Sequence, residues 1–338
     1  MKILHLTGVD PWTNLATEEY IFRHMGEEDC LLLWRNDKTI VVGLHQNALE
    51  EINTAFVEEN GIKVVRRITG GGAVYHDMGN LNFSFITRAE DAARMTMERF
   101  TLPIARVLSS LGLQAEAGGR NDILAGGCKV SGNAQALFKK RFLHHGTLLF
   151  DADLSMLSKA LLVKPEKFLS KSIKSVRARV ANIKDMLPPG LNLDIHGLAE
   201  RIALGLSQDG RAQELYLTDK DMAAIRSLRD DKYAAWEWNF GQSPPFNFKN
   251  MRKYPGGFLE VLLDVREGRL AGCRFFGDFM SLRPAEEAAE RLLGLKYARS
   301  ELEEALSPLP LEEYFGSVTR QELLDCIMGA EETNTAMI

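Results

Sequence analysis

The chain has 338 residues, 45% hydrophobic and 26% charged, with a formal net charge of −5. That length allows a sizeable core and points to two domains, and the mixed composition excludes a disordered or repetitive chain. A general nucleic-acid binder is usually basic, so the acidic balance excludes that class. The acidity is local: residues 250–338 hold 10 Lys/Arg against 16 Asp/Glu, whereas residues 1–249 hold 31 against 30. Four scattered cysteines (Cys30, Cys128, Cys273, Cys326) make no C-x-x-C and no zinc spacing. This fits a reduced cytosol better than a disulfide scaffold. Met1–Leu6 reads as a first strand rather than a leader, and no segment approaches the ~20 apolar residues of a membrane span. A soluble, cytoplasmic protein is expected, with no membrane partner and a monomer as the default.

In chain order, Thr13 can cap a helix over 14–25. Segments 31–35 and 39–43 read as strands paired around the polar turn Asn36-Asp37-Lys38. A helix over 48–59 stops at Asn60-Gly61. Segment 63–67 is a strand that runs into three glycines. Leu81, Phe83 and Phe85 alternate with Asn82 and Ser84, a half-buried strand. A long helix over 92–111 breaks or restarts near Pro103. Strands follow over 122–124, 129–137 and 142–150, with helices near 155–162, 195–206 and 219–229. Pro244-Pro245 marks a boundary. Beyond it come a hairpin (258–265 and 270–276) and helices near 285–293, 300–305 and 320–328. Strands outnumber crossover helices, so the expected fold class is α+β. It comprises a large mixed β-sheet catalytic domain over 1–245, with helices packed on it, and a small α+β accessory domain over 246–338.

Chemistry concentrates in four places. Arg66-Arg67-Ile68-Thr69-Gly70-Gly71-Gly72-Ala73-Val74-Tyr75-His76-Asp77 sets two guanidinium groups before three glycines. It is neither a Walker A loop nor a dinucleotide fingerprint. Open backbone amides beside arginines suit a phosphate or carboxylate, and a tight structural turn is the plainer alternative. Second, Asn121-Asp122 precedes Gly127-Cys128-Lys129-Val130-Ser131-Gly132. Lys129 can act as a point charge in a cleft, and Asp122 offers an oxygen ligand for Mg2+. Third, His144 and His145 are adjacent on a strand and point to opposite faces, so they cannot share a metal. One lines a cleft and the other packs. Fourth, from Lys159 to Lys184 there are eight Lys/Arg and one acidic residue, Glu166. This is either a solvated loop or a mobile basic segment closing over an anion.

Together, in this order, these elements resemble the lipoate–protein ligase A family in its two-domain form. Further matching pieces are Gly79-Asn80, His145-Gly146-Thr147-Leu148, Ser170-Lys171, Ser175-Val176-Arg177, Arg179-Val180-x-Asn182 and Trp238-Asn239-Phe240-Gly241-Gln242. The resemblance covers essentially the whole chain. It implies that ATP and lipoate give lipoyl-AMP and pyrophosphate. The lipoyl group then passes to a lysine of an acceptor: the lipoyl domain of a 2-oxoacid dehydrogenase E2 subunit, or the glycine cleavage H protein. It further implies that Arg67, Gly72, Ala73, Val74, Tyr75, Asn121, Asp122 and Lys129 bind ATP or the adenylate. Lys129, Arg66, Thr69, Gly70, Gly71, His76, His145 and Gly146 are implied for lipoate. Lys171, Ser175, Val176 and Arg177 would cover the adenylate, Asp122 would help hold Mg2+, and no prosthetic group is expected. Val74, Tyr75, Phe83 and Phe85 are candidates for an acyl slot. Lys129 is the expected catalytic residue. Cys128, beside it, motivates a rival: an ATP-independent octanoyltransferase carrying the acyl group on a cysteine. The extra C-terminal domain disfavours that rival. The intact arginine pair and Lys129 disfavour a non-catalytic acyl- or adenylate-binding relative, and a biotin ligase should show a different loop.

Overall fold

A computed structural model of the chain describes residues 1–26, 28–46, 48–89, 95–118, 121–161, 180–207, 213–240, 248–266 and 268–329. Two units form. The first comprises Met1–Val42, Ala48–Ile68 and Ala73–Phe240, and the second gathers Gly43–Asn47 and Thr69–Gly72 with Gly241–Ile338.

In the first unit the strands are β1 (Lys2–His5), β2 (Cys30–Trp34), β3 (Thr39–Val42), β4 (Lys63–Arg66), β5 (Val74–His76), β6 (Asn80–Arg88), β7 (Ala115–Gly118), β8 (Asp122–Ala125), β9 (Cys128–Phe138), β10 (Arg141–Leu149) and β11 (Gln213–Glu214). Eight of them build one mixed sheet in the order β11-β1-β2-β6-β10-β9-β8-β7, and β4-β3-β5 form a small second sheet. Thus β2 and β3 do not pair with each other, contrary to the expected hairpin. β2 lies between β1 and β6, while β3 pairs with β4 and β5. Both are buried along their whole length, and burial on both faces of separate sheets outweighs the local turn signal.

Strand β6 also departs from expectation. Both of its faces are buried: Leu81, Phe83 and Phe85 on one, and Asn82 and Ser84 on the other. Its apolar side meets an aromatic cluster in which Phe100 stacks on Phe142 and on His144. Full burial of a phenylalanine such as Phe83 contributes about 2–3 kcal/mol. The polar side must find hydrogen bonds instead, and that requirement builds the site described below.

Helix Pro11–His24 is capped by Asp10, not Thr13: the Asp10 carboxylate accepts from the Thr13 amide at 3.1 Å and from its hydroxyl at 2.7 Å. Such a cap contributes about 1 kcal/mol. The expected helix over 48–59 is two helices, Ala48–Glu51 and Thr54–Glu59, with Asn53 capping the second. Helix Met97–Ser110 runs through Pro103 without a break. Its buried face of Phe100, Thr101, Ile104, Ala105, Val107 and Leu108 offsets the hydrogen bond that proline removes.

In the second unit, β12 (Phe248–Tyr254), β13 (Gly257–Arg266) and β14 (Arg269–Gly277) form an antiparallel sheet. Helices Glu286–Glu290, Arg299–Leu306, Leu311–Phe315 and Arg320–Met328 accompany it. Leu259, Val261, Phe275, Phe315 and Leu324 belong to its core. The expected hairpin is present, and β12 and helix Leu311–Phe315 are additions to the expectation.

Candidate active site

Within the first unit, the polar face of β6 meets helix Pro11–His24 at Glu18, which is 1% exposed. The Trp34 indole donates to Ser84 Oγ at 2.9 Å, and the Ser84 hydroxyl donates to Glu18 Oε1 at 2.6 Å. His145 Nδ1 donates to the same carboxylate oxygen at 2.8 Å. A buried carboxylate thus gathers a serine and a histidine, while its Oε2 has no hydrogen-bond partner among the described residues. Sequence reasoning missed Glu18, Trp34 and Ser84.

Arg67 faces this cluster. Its side chain is fully buried, donates to the Val41 carbonyl at 3.1 Å and is electrostatically coupled to Glu18. Burial pulls its pKa down to about 10, against the pull of Glu18, so the guanidinium stays charged at neutral pH. His76 is buried beside it, edge-on to the Trp34 ring at 6.2 Å. Its Nδ1 accepts from the Asn36 amide at 3.2 Å, which places the ring proton on Nε2. That Nε2 has no hydrogen-bond partner among the described residues. Burial, reinforced by Arg67 and His145, lowers the His76 pKa to about 3, so the ring is neutral. Among the described residues the cluster therefore leaves one buried acceptor at Glu18 and one buried donor at His76 unpaired, a pattern that fits a polar binding site.

Adjacent residues do different work, as strand alternation requires. Arg66 turns away from Arg67 and donates to the carbonyls of Trp238 and Asn239, both at 2.9 Å, tying β4 to the end of helix Trp236–Asn239. His144 is packed: its Nδ1 accepts from Gln135 at 3.0 Å and its Nε2 donates to Asn133 at 3.1 Å. Burial, with His145 nearby, holds its pKa well below the usual value. His145 is the member of the pair that joins the site.

Lys129, on β9, pairs with Asp122, on β8, at 2.6 Å, each side chain about a quarter exposed. The ammonium stands over Gly132, where an added Cβ would lie 3.3 Å from Nζ. The Lys129 carbonyl accepts from the Ala181 amide at 3.1 Å, so the last residues of the basic segment lie against this lysine. Asn121 donates to the Asn133 carbonyl at 2.8 Å and fixes the start of β8 to β9. Gly146 has no room for a side chain, because a Cβ would meet Asn133 at 2.2 Å and Phe83 at 2.5 Å. Val74 and Tyr75 lie in β5, and Tyr75 is buried in the small sheet's core with Ile40 and Val64. Among the described residues no three His, Cys, Asp or Glu cluster as a metal site. Asp122 alone fits the single carboxylate that a Mg2+ held mainly by substrate phosphates needs. Lys171, Ser175, Val176 and Arg177 lie outside the described residues, as does the 241–247 boundary.

Thr69, Gly70, Gly71 and Gly72 belong to the second unit. Thr69 is fully buried and its carbonyl accepts from Leu44 at 2.8 Å. Gly71 takes φ +91°, a conformation that favours glycine.

Residues 10–206 match the lipoyl protein ligase A/B catalytic domain, and residues 243–327 match the bacterial lipoate protein ligase C-terminus. The chain belongs to the lipoate–protein ligase A family, with the catalytic and C-terminal domains of its two-domain architecture. It is similar to lipoate-protein ligase LplJ of Bacillus subtilis, 43% identical over 94% of this chain and 97% of that protein. Among solved structures it resembles the bi-partite lipoate protein ligase of Thermoplasma acidophilum, 34% identical, TM-score 0.63, covering 73% of this chain and 98% of that one. A lipoate-protein ligase A bound with ATP is 33% identical, TM-score 0.62, covering 71% and 98%.

Proposed function

We infer that this chain is an ATP-dependent lipoate–protein ligase working in two steps. In the first, a lipoate carboxylate oxygen attacks the α-phosphorus of ATP, the bond to the β-phosphate breaks, and pyrophosphate leaves. In the second, a lysine amine of an acceptor domain attacks the acyl carbon and AMP leaves. The amine's proton passes to solvent or a base.

The observation that carries the reading is Lys129, a cation paired among the described residues with Asp122 and held over a glycine. Carboxylate and α-phosphate repel each other, and a fixed ammonium offsets that repulsion as charge moves to the leaving group. Arg67, which is buried, adds a second cation. With both cations fixed, most of the rate comes from placement. Asp122 would help hold a Mg2+, which would supply charge neutralisation for the triphosphate. The far end of the acyl chain reaches the Glu18–His145–His76 cluster.

The acceptors we assign are lipoyl domains of 2-oxoacid dehydrogenase E2 subunits and the glycine cleavage H protein, in the cytoplasm. No described helix is long and apolar enough to cross a membrane. Residues 1–245 would carry the chemistry, with residues 246–338 as an accessory domain. The test is mass measurement of each acceptor domain after incubation with enzyme, Mg2+ and lipoate, with and without ATP. One lipoyl addition that requires ATP is expected. Acyl transfer from an octanoyl carrier protein without ATP would instead assign the octanoyltransferase activity.

A further inference from the structure

The two buried charges of the site each have a like-charged neighbour in sequence: Glu19 beside Glu18, and Arg66 beside Arg67. One segment of the first unit, residues 232–239, holds both neighbours. It lies outside both stretches matched above. It runs from the end of a π-helical turn, Arg229–Tyr233, through the short helix Trp236–Asn239.

At one end, the Lys232 ammonium and the Tyr233 hydroxyl both donate to Glu19 Oε2 at 2.7 Å. Glu19 is buried, so these charge-assisted bonds, with that from Arg23 Nε at 2.6 Å, fix its turn of helix Pro11–His24. Glu18 stands on the same turn. At the other end, β4 is an edge strand of the small sheet. The Arg67 amide donates to the Val42 carbonyl of β3 at 3.0 Å, so the amide and carbonyl of Arg66 point outward. The segment meets both: the Arg66 amide donates to Asn239 Oδ1, and the Trp238 indole donates to the Arg66 carbonyl, each at 2.9 Å. The guanidinium bonds to the carbonyls of Trp238 and Asn239 close the same contact. The two ends are themselves joined. Asn239 Nδ2 donates to the Tyr233 carbonyl at 2.7 Å, and the Lys232 ammonium stands 4.0 Å from the centre of the Trp238 ring.

We propose that segment 232–239 is a positioning strap of the ligase: it holds Glu18 through Glu19 and Arg67 through Arg66, and so sets how the two opposite charges of the site stand to each other. This rests on the reading that Arg67 serves adenylation and that Glu18 meets the acyl chain. A misplacement of about 1 Å in such groups costs on the order of 10²-fold in rate, so residues that touch no substrate can govern the step.

The test is lipoate-dependent ATP–pyrophosphate exchange, with kcat and the KM for lipoate read separately and thermal melts to fix a temperature at which each variant is folded. Tyr233→Phe keeps the ring and removes the bond to Glu19. It should raise the KM for lipoate about fivefold and leave kcat within about twofold. Asn239→Ala frees the Arg66 amide and should lower kcat about 10-fold or more, with the KM for lipoate within about twofold. In an Arg67→Ala background, Asn239→Ala should lower kcat no more than about twofold further, because it acts through Arg67. A lower melting temperature with parental kcat in Asn239→Ala, where Arg67→Ala loses exchange, overturns the strap alone and leaves a structural contact. Parental exchange in Arg67→Ala overturns the underlying reading instead. Multiplicative losses in the double variant overturn the route through Arg67, and a parental KM for lipoate in Tyr233→Phe overturns the Glu19 end. If Asn239→Ala does not fold, Trp238→Phe, which keeps an aromatic ring and loses the indole N–H, takes its place, and parental kcat there overturns the proposal.

Discussion

His145 donates from Nδ1 to the buried carboxylate of Glu18 across 2.8 Å, joining a strand of the large sheet to the first helix. The same carboxylate balances the buried Arg67 guanidinium. Glu18→Gln keeps the shape and removes the charge. Breaking a buried pair costs about 3–5 kcal/mol. Urea unfolding should show that loss, with KM for lipoate raised about 10-fold through an unpaired site group and KM for ATP unchanged. Unchanged stability together with unchanged lipoate KM would contradict the assignment.

His76 makes stability depend on pH in a defined direction. Its pKa is about 3 in the folded chain against an ordinary 6.5. Between those values the unfolded chain binds a proton that the folded chain does not. Its contribution is therefore whole above pH 6.5 and is lost as pH falls towards 3. From pH 6 to 5 the parent should lose up to about 1.4 kcal/mol per pH unit more than His76→Asn. Parallel stability profiles for the two proteins would refute this.

Gly79 and Gly72 should respond oppositely to alanine in a melting experiment. A Cβ at Gly79 would sit 1.9 Å from the Asp151 carbonyl oxygen, beneath a turn held by Asp77 Oδ1 on the Gly79 amide and Asp77 Oδ2 on the Asp153 amide. Relief of that clash requires backbone movement, so Gly79→Ala should destabilise by about 3 kcal/mol or more. Gly72→Ala should remain within about 1 kcal/mol of the parent. Equal melting temperatures for the two variants would be the contrary result.

Most strands and the helix Ile195–Leu206 were legible because their patterns are local. The placement of β2 and β3 in different sheets was not, since non-local pairing leaves no mark in a short turn. The motif pieces announced Lys129, Asp122, His76 and His145 as candidates. They also announced Arg66, whose guanidinium instead binds the carbonyls of Trp238 and Asn239. Glu18 went unseen because Glu18-Glu19 reads like a solvated helix face. In fact helix Pro11–His24 buries both, Glu18 against Ser84 and His145, and Glu19 against Lys232 and Tyr233.

The most direct test of the account is lipoate-dependent ATP–pyrophosphate exchange in the parent, Lys129→Ala and Cys128→Ser proteins. The account predicts exchange in the parent, a loss on the order of 10³-fold in Lys129→Ala through the missing charge, and near-parental exchange in Cys128→Ser. Exchange that survives Lys129→Ala and disappears in Cys128→Ser would contradict it.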